Sequence, residues 1–209
     1  MVTEYLSIVF AVIFLAILLL LHFLKPELDP SWRMISEYEI GRFGWMMRLA
    51  FFSWGASLAA ALMAIWPFLQ PISGTISRWW FVLIVLALFG AGIFKTDPIT
   101  DQTSSWVNNI HKICGTVVIL TFPIAATLGV YSLHQNSSWS AYKGLLILGT
   151  TLVWIGMIIY FASIINARIK DPTAGEPGGP PIYMGWPNRF NVLTYIVWIV
   201  IIATTALRL

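Results

Sequence analysis

Apolar residues in this chain gather into six long runs, covering about 5–24, 45–66, 79–94, 113–133, 144–165 and 190–207. A helix of roughly 17–25 apolar residues crosses a hydrocarbon core of about 30 Å, and the run at 79–94 is marginal by that measure. Backbone polar groups have no water to bond inside a bilayer, so continuous apolar runs of this length predict α-helices. The pattern predicts an all-α fold: a polytopic membrane protein built as a six-transmembrane-helix bundle, with 1–209 forming a single integral membrane domain.

The runs carry local signals. The first follows Glu4 rather than a basic cluster and ends at Lys25-Pro26 without a small-residue cleavage site. That reads as a retained helix, not a removable signal peptide. The second holds Gly55-Ala56-Ser57 and Ala59-Ala60-Ala61, small residues that admit close neighbours, so it is expected inside the bundle. Pro67 and Pro71 terminate it. The third closes on Gly90-Ala91-Gly92, and Pro123 in the fourth predicts a kink. Tyr5, Trp45, Trp66, Trp79, Trp80, Trp139, Tyr142 and Trp186 stand near the expected ends, as an interfacial aromatic belt would.

Composition narrows the class. With 58% hydrophobic and 10% charged residues, the chain has too little polar surface for a soluble domain. Its net charge of +3 is too small to suggest nucleic acid, and none is expected as a partner. The lone Cys114 sits in an apolar run, excludes an intrachain disulfide and reads as a buried structural thiol.

The charge is arranged asymmetrically. Lys25, Arg33, Arg42, Arg48, Lys95, Lys112, Arg168, Lys170 and Arg189 lie on the side of the first, third and fifth loops. Arg78, Lys143 and Arg208 lie on the other. The positive-inside rule then puts those three loops in the cytoplasm and both termini outside, in a cell inner or plasma membrane. Eight of the nine carboxylates share that side, which suggests a site as well as an orientation. Asn136-Ser137-Ser138 on the opposite side matches a glycosylation tripeptide, a pattern too common to carry weight.

Three polar segments therefore lie at one depth. The first loop alternates charges and hydrophobics from Lys25 to Trp45, with Gly41 and Gly44 placed for a tight turn into the second helix. The third contains Phe94-Lys95-Thr96-Asp97-Pro98 and leads to His111 and Lys112. Gly115 follows four residues after His111, on the same helical face, where it would let a neighbouring helix approach the imidazole. The fifth, Lys170 to Pro187, is rich in Gly and Pro and reads as a flexible cover or irregular surface loop. Ser36, Glu37, Asp97, His111 and Arg189 are the candidate ligand-binding residues. Carboxylate, imidazole and guanidinium together suit a lipid head group, with Arg189 on a phosphate and Glu37 and Asp97 receiving an amine or orienting the arginine. Glu37, Asp97 and His111 could instead hold a metal that activates water, or the cluster could simply pair with itself and hold the loops down.

Nothing stronger competes. His22 is one turn from the charged interface and His134 is at the opposite one, so a bis-histidine haem has little basis. No phosphate loop, zinc motif or nucleophile elbow occurs, no carboxylate lies mid-membrane and no inverted repeat is evident. No cofactor is expected, and catalytic residues are not assigned.

Ile35-Ser36-Glu37-Tyr38, Gly41-Arg42-Phe43-Gly44-Trp45-Met46-Met47, Gly92-Ile93-Phe94-Lys95-Thr96-Asp97, His111 and Asn188-Arg189 together resemble the bacterial and archaeal membrane family called domain of unknown function 998. The likeness covers essentially the whole chain. Members usually show Phe-Pro-Thr-Asp where this chain has Phe94-Lys95-Thr96-Asp97, and often Gln-Arg where it has Asn188-Arg189. The Ile-Ser-acidic element and the His-x-x-x-Gly at 111–115 are also similar to the six-helix DRAM and Sfk-type proteins, linked to lipid handling. The resemblance implies a six-helix bundle without an assigned activity. The expected function is a membrane protein that binds or handles lipid through its one-sided polar cluster. The alternatives are a metal-dependent intramembrane lipid hydrolase and a structural subunit of a larger complex. Membrane lipids are the expected partners, with membrane proteins or a second copy of the chain as further candidates.

Overall fold

A computed structural model of the protein describes residues 1–176 and 179–209. The long helices are α1 (Val2–Leu24), α2 (Gly44–Ile65), α3 (Ile72–Ile93), α4 (Trp106–Leu133), α5 (Lys143–Lys170) and α6 (Gly185–Ala206). Short 3-10 turns occur at Ile35–Glu39, Trp66–Phe68 and Ser137–Tyr142, and there is no strand among the described residues. All six long helices have the length and apolarity to cross a membrane.

Four boundaries differ from the hydrophobic runs by more than one turn, and at the starts of α3 and α4 the reason is that polar side chains find partners. The marginal third run is the end of a 22-residue helix that starts at Ile72. In its first two turns Ser77 donates to Ala125 O of α4 at 2.8 Å, and Arg78 reaches back to Trp66 O and Leu69 O. Those bonds keep a polar stretch helical where hydropathy alone reads a loop. Helix α4 likewise starts at Trp106, two turns before its apolar run, with Ser105 as N-cap accepting from Asn108 N. Helix α5 continues to Lys170 because Arg168 and Lys170 end in its exposed last turn, where cations complement the helix dipole. Helix α6 starts at Gly185 and tolerates Pro187, which lies in the first turn, where no intrahelical donor is needed.

Helices α2 and α6 are central, each with 61% of its apolar window buried, whereas α1 and α5 reach 28%. Consecutive helices pack side by side, α1 closes on α6, and α2 touches α6 across the middle. Gly55 supports the expected close approach, since a Cβ there would press on the Phe89 ring of α3 at 2.7 Å. An aromatic cluster joins α3, α4 and α6. Phe122 stacks on Tyr195 at 4.3 Å, and Trp198 lies edge-on to Phe122 and tilted against Phe81. Helix α5 packs chiefly on α6 and only lightly on α4.

Helix α4 runs unbroken through Pro123. Proline has no N–H, so the carbonyl of Ile119 loses its usual partner. The Tyr195 hydroxyl of α6 donates to that oxygen at 2.7 Å. Among the aromatic residues read as an interfacial belt, Tyr5, Trp45, Trp79 and Trp186 are exposed. Trp139 is not: it belongs to the 3-10 turn Ser137–Tyr142 of the fourth loop and is fully buried, edge-on to Phe68.

Candidate functional site

The first loop is fastened before any site forms. Lys25, at the end of α1, is 3% exposed and donates to Tyr38 O and Ile40 O, the carbonyls ending the 3-10 turn. Burial pulls its ammonium below the usual lysine range, against the opposing pull of Glu27 and Glu37. Gly41 takes a positive φ of 71°, and so does Phe43 at 65°, bending the chain into α2. Gly44 lies where a Cβ would strike the Glu39 carbonyl, which explains the second glycine of the turn.

Arg189 is the main clamp. It is 7% exposed, and its Nε donates to His22 Nε2 at 2.8 Å. Its terminal nitrogens donate to Arg33 O at 2.7 Å, Gly185 O at 3.0 Å, Pro30 O at 3.3 Å and Tyr38 Oη at 3.1 Å. The guanidinium thereby ties α1, the first loop and α6 together through neutral acceptors. Neither Glu37 nor Asp97 orients it. Asn188 beside it accepts from Ile35 N, anchoring the start of the 3-10 turn.

Glu37 is 1% exposed and joins the first loop to the third. Its Oε1 pairs with Arg33 at 2.6 Å and accepts from Ile99 N at 2.9 Å, while Oε2 accepts from Met34 N at 3.3 Å. Asp97 organises the start of α4, accepting from Ser105 N at 2.7 Å and Ser105 Oγ at 3.1 Å. Thr96 adds a bond to Asn108 Oδ1. Arg48 on α2 donates to Gly92 O at 2.9 Å, completing a carbonyl at the end of α3.

Sequence reasoning passed over Glu39. Its carboxyl is 1% exposed, Oε2 accepts from Thr96 N at 3.1 Å, and Oε1 has no partner among the described residues. Burial pushes it up to about 7, opposed by the Thr96 N–H, Arg48 and Lys95. His111 stands 3.7 Å away through Nδ1, but that nitrogen lies 2.7 Å from Phe94 O. A carbonyl only accepts, so Nδ1 carries the hydrogen and the neutral ring has its lone pair on Nε2. The signal for Glu39 was its place two residues after Glu37. Both carboxylates of this 3-10 turn are buried, and nothing in the sequence says which one keeps an oxygen without a partner.

Against these groups lies a cavity of about 610 Å³, within the range of small-molecule sites. Its loop end is bordered by Ser36, Glu37, Asp97, Asp101, Ser104, Asn108, His111 and Lys112, together with the apolar Met34, Ile35, Pro98 and Ile99. Its apolar end is bordered by Phe51, Trp54 and Leu88, by Val118, Ile119 and Leu120 of α4, and by Tyr160 and Phe161 of α5. Four of the five expected residues, Ser36, Glu37, Asp97 and His111, thus share one cavity, while Arg189 stands outside it. Gly115 does not receive a neighbouring helix: a Cβ there would meet nothing within 4 Å, because the cavity occupies that space. The alternative metal set is not assembled, since no three His, Cys, Asp or Glu side chains group as metal ligands among the described residues.

The fifth loop covers this end with a small core of its own. Ala174, Ile182 and Met184 are buried with Tyr160, against Met34 and Ile99. The sequence reading of this loop also spans Pro177 and Gly178, which lie outside the described residues.

Fold and site together define a multi-span membrane protein with its polar chemistry gathered at one end of six helices. More particularly, the chain belongs to the family described as protein of unknown function (DUF998), which matches residues 8–205. No curated protein and no solved structure matches it, and the fainter likeness to DRAM and Sfk-type proteins rests on the quoted fragments alone.

Proposed function

We propose that this protein binds a membrane lipid in the cavity between α4, α5 and the polar loops. The observation that carries the reading is the cavity's division: acceptor-rich at the loop end and apolar along the helices. An amphipathic molecule matches both halves, whereas a wholly polar solute would leave the aromatic end unmatched. The light packing of α5 on α4 supports a lateral path from the bilayer, and the exposed Thr116 and Leu120 of α4 border both cavity and outer surface. In this reading Arg189 is a positioning residue that holds the first loop over the site. The loop end faces the cytoplasm of a cell inner or plasma membrane, following the excess of Lys and Arg there.

Gly115 provides a test that spares the fold, because added atoms enter open space. Gly115→Phe is expected to fill the site, retain the thermal unfolding midpoint in detergent and lose most co-purifying lipid, measured by native mass spectrometry. Unchanged lipid occupancy in a folded variant would overturn the reading.

A further inference from the structure

We propose that Tyr160 selects acyl lipids by donating its hydroxyl to their carbonyl oxygen. This selectivity rests on the lipid-binding reading above. Tyr160 of α5 borders the cavity and is 6% exposed. Among the described residues its hydroxyl has one hydrogen-bond partner, the Met34 sulfur at 3.7 Å. A thioether is a weak acceptor, so this buried O–H is only partly compensated for the water it lost on folding. Other hydroxyls around the cavity are better served. Tyr195 donates to Ile119 O at 2.7 Å, Thr96 to Asn108 Oδ1 at 3.2 Å and Ser104 to Asn109 Oδ1 at 2.8 Å.

The place of that hydroxyl along the cavity decides what it would meet. Met34 belongs to the loop end, whereas Phe161, Ile119 and Leu120 belong to the apolar end. With its O–H on Met34, Tyr160 stands where the two ends join. In an acyl lipid the carbonyl occupies the corresponding place, between a polar head and an apolar chain. A carbonyl oxygen takes an O–H at about 2.7–2.8 Å and is a far better acceptor than sulfur, so it would displace Met34. An ether-linked lipid has nearly the same shape but no carbonyl, and leaves the hydroxyl on the thioether. Sites built around a buried hydrogen bond reject an analogue lacking the partner, because the polar group is then left unmatched. Two sources carry the carbonyl, the ester of a glycerolipid and the carboxyl of a free fatty acid.

Full-length protein in detergent would be titrated with dioleoyl phosphatidylcholine, its di-O-oleyl ether analogue and oleic acid, with binding read by native mass spectrometry. A glycerolipid source makes the ester bind about fivefold more tightly than the ether; a fatty-acid source makes oleic acid bind and neither phospholipid. Tyr160→Phe keeps the ring and should retain the unfolding midpoint. It should bring the ester-to-ether ratio close to one, or weaken oleic acid about fivefold. Met34→Leu removes the sulfur and should keep the wild-type preference, whereas a merely structural contact between Tyr160 and Met34 predicts the same loss in both variants. Equal binding of ester and ether by the wild type overturns the carbonyl assignment and leaves lipid binding standing. So does a carbonyl preference that survives Tyr160→Phe or is lost in Met34→Leu. Failure of all three probes overturns both.

Discussion

Glu39 shows how one buried carboxyl couples this protein to pH. Its environment favours the protonated form, so its folded value, about 7, stands above the ordinary 4.5. A group raised in this way stabilises the fold fully below about 4.5, and that contribution is lost as pH rises through 7. Arg48, Lys95, the Thr96 N–H and His111 face it, and the first three already favour ionisation, so the net rise reflects the strength of desolvation. Wild type should lose on the order of 3 kcal/mol relative to Glu39→Gln between pH 4.5 and 7, since each pH unit corresponds to about 1.4 kcal/mol. Unfolding midpoints of the two proteins across that window check it, and parallel pH curves would show that Glu39 is ionised throughout. Arg189 teaches the complementary lesson. The sequence offered it as a phosphate-binding residue, but a guanidinium beside free carbonyls and an imidazole bonds them first. No spacing rule could reveal the Pro30 and Arg33 carbonyls, because they belong to a loop brought over α6 only on folding.

Among the elements, α4 and α6 depend on each other through one repaired bond. Pro123 was legible as a disruption, and the helix nevertheless continues because Tyr195 serves the freed Ile119 carbonyl. Tyr195→Phe should cost about 1–2 kcal/mol by leaving that oxygen without a partner. In a Pro123→Ala background the restored N–H can take the carbonyl, so the same change should cost clearly less. Unfolding measurements on the four proteins form the cycle, and equal costs in both backgrounds would remove the repair from the account. Helix starts at Ile72 and Trp106 follow the same logic: hydropathy marks the length that seeks lipid, while internal partners decide how far polar turns stay helical.

At the scale of the whole molecule, three loops distant in sequence become one surface. Glu37 joins the first loop to the third, and Ala174, Ile182 and Met184 of the fifth pack against both. Orientation is a separate property, set by where the basic residues lie relative to the membrane during insertion. With Gln102 and Ser137 both exposed on opposite ends, Gln102→Cys and Ser137→Cys, each made in a Cys114→Ala background, test it in intact cells. Only the Ser137→Cys protein should react with an impermeant maleimide added outside; the reverse pattern would invert the topology and leave the cavity as described.

The sequence by itself determined the helical class, the number of spans and the end of the molecule that holds the polar chemistry. These follow from run length and one-dimensional charge placement, which a bilayer converts directly into structure. The nearness of Ser36, Glu37, Asp97 and His111 was also within reach, because loops at one depth tend to converge. Only the tertiary structure decided which polar groups face the cavity and which are consumed by neighbouring backbone. That choice separates His111 from Arg189. Its physical reason is competition for hydrogen bonds among buried groups, where each donor takes the acceptor that folding places nearest.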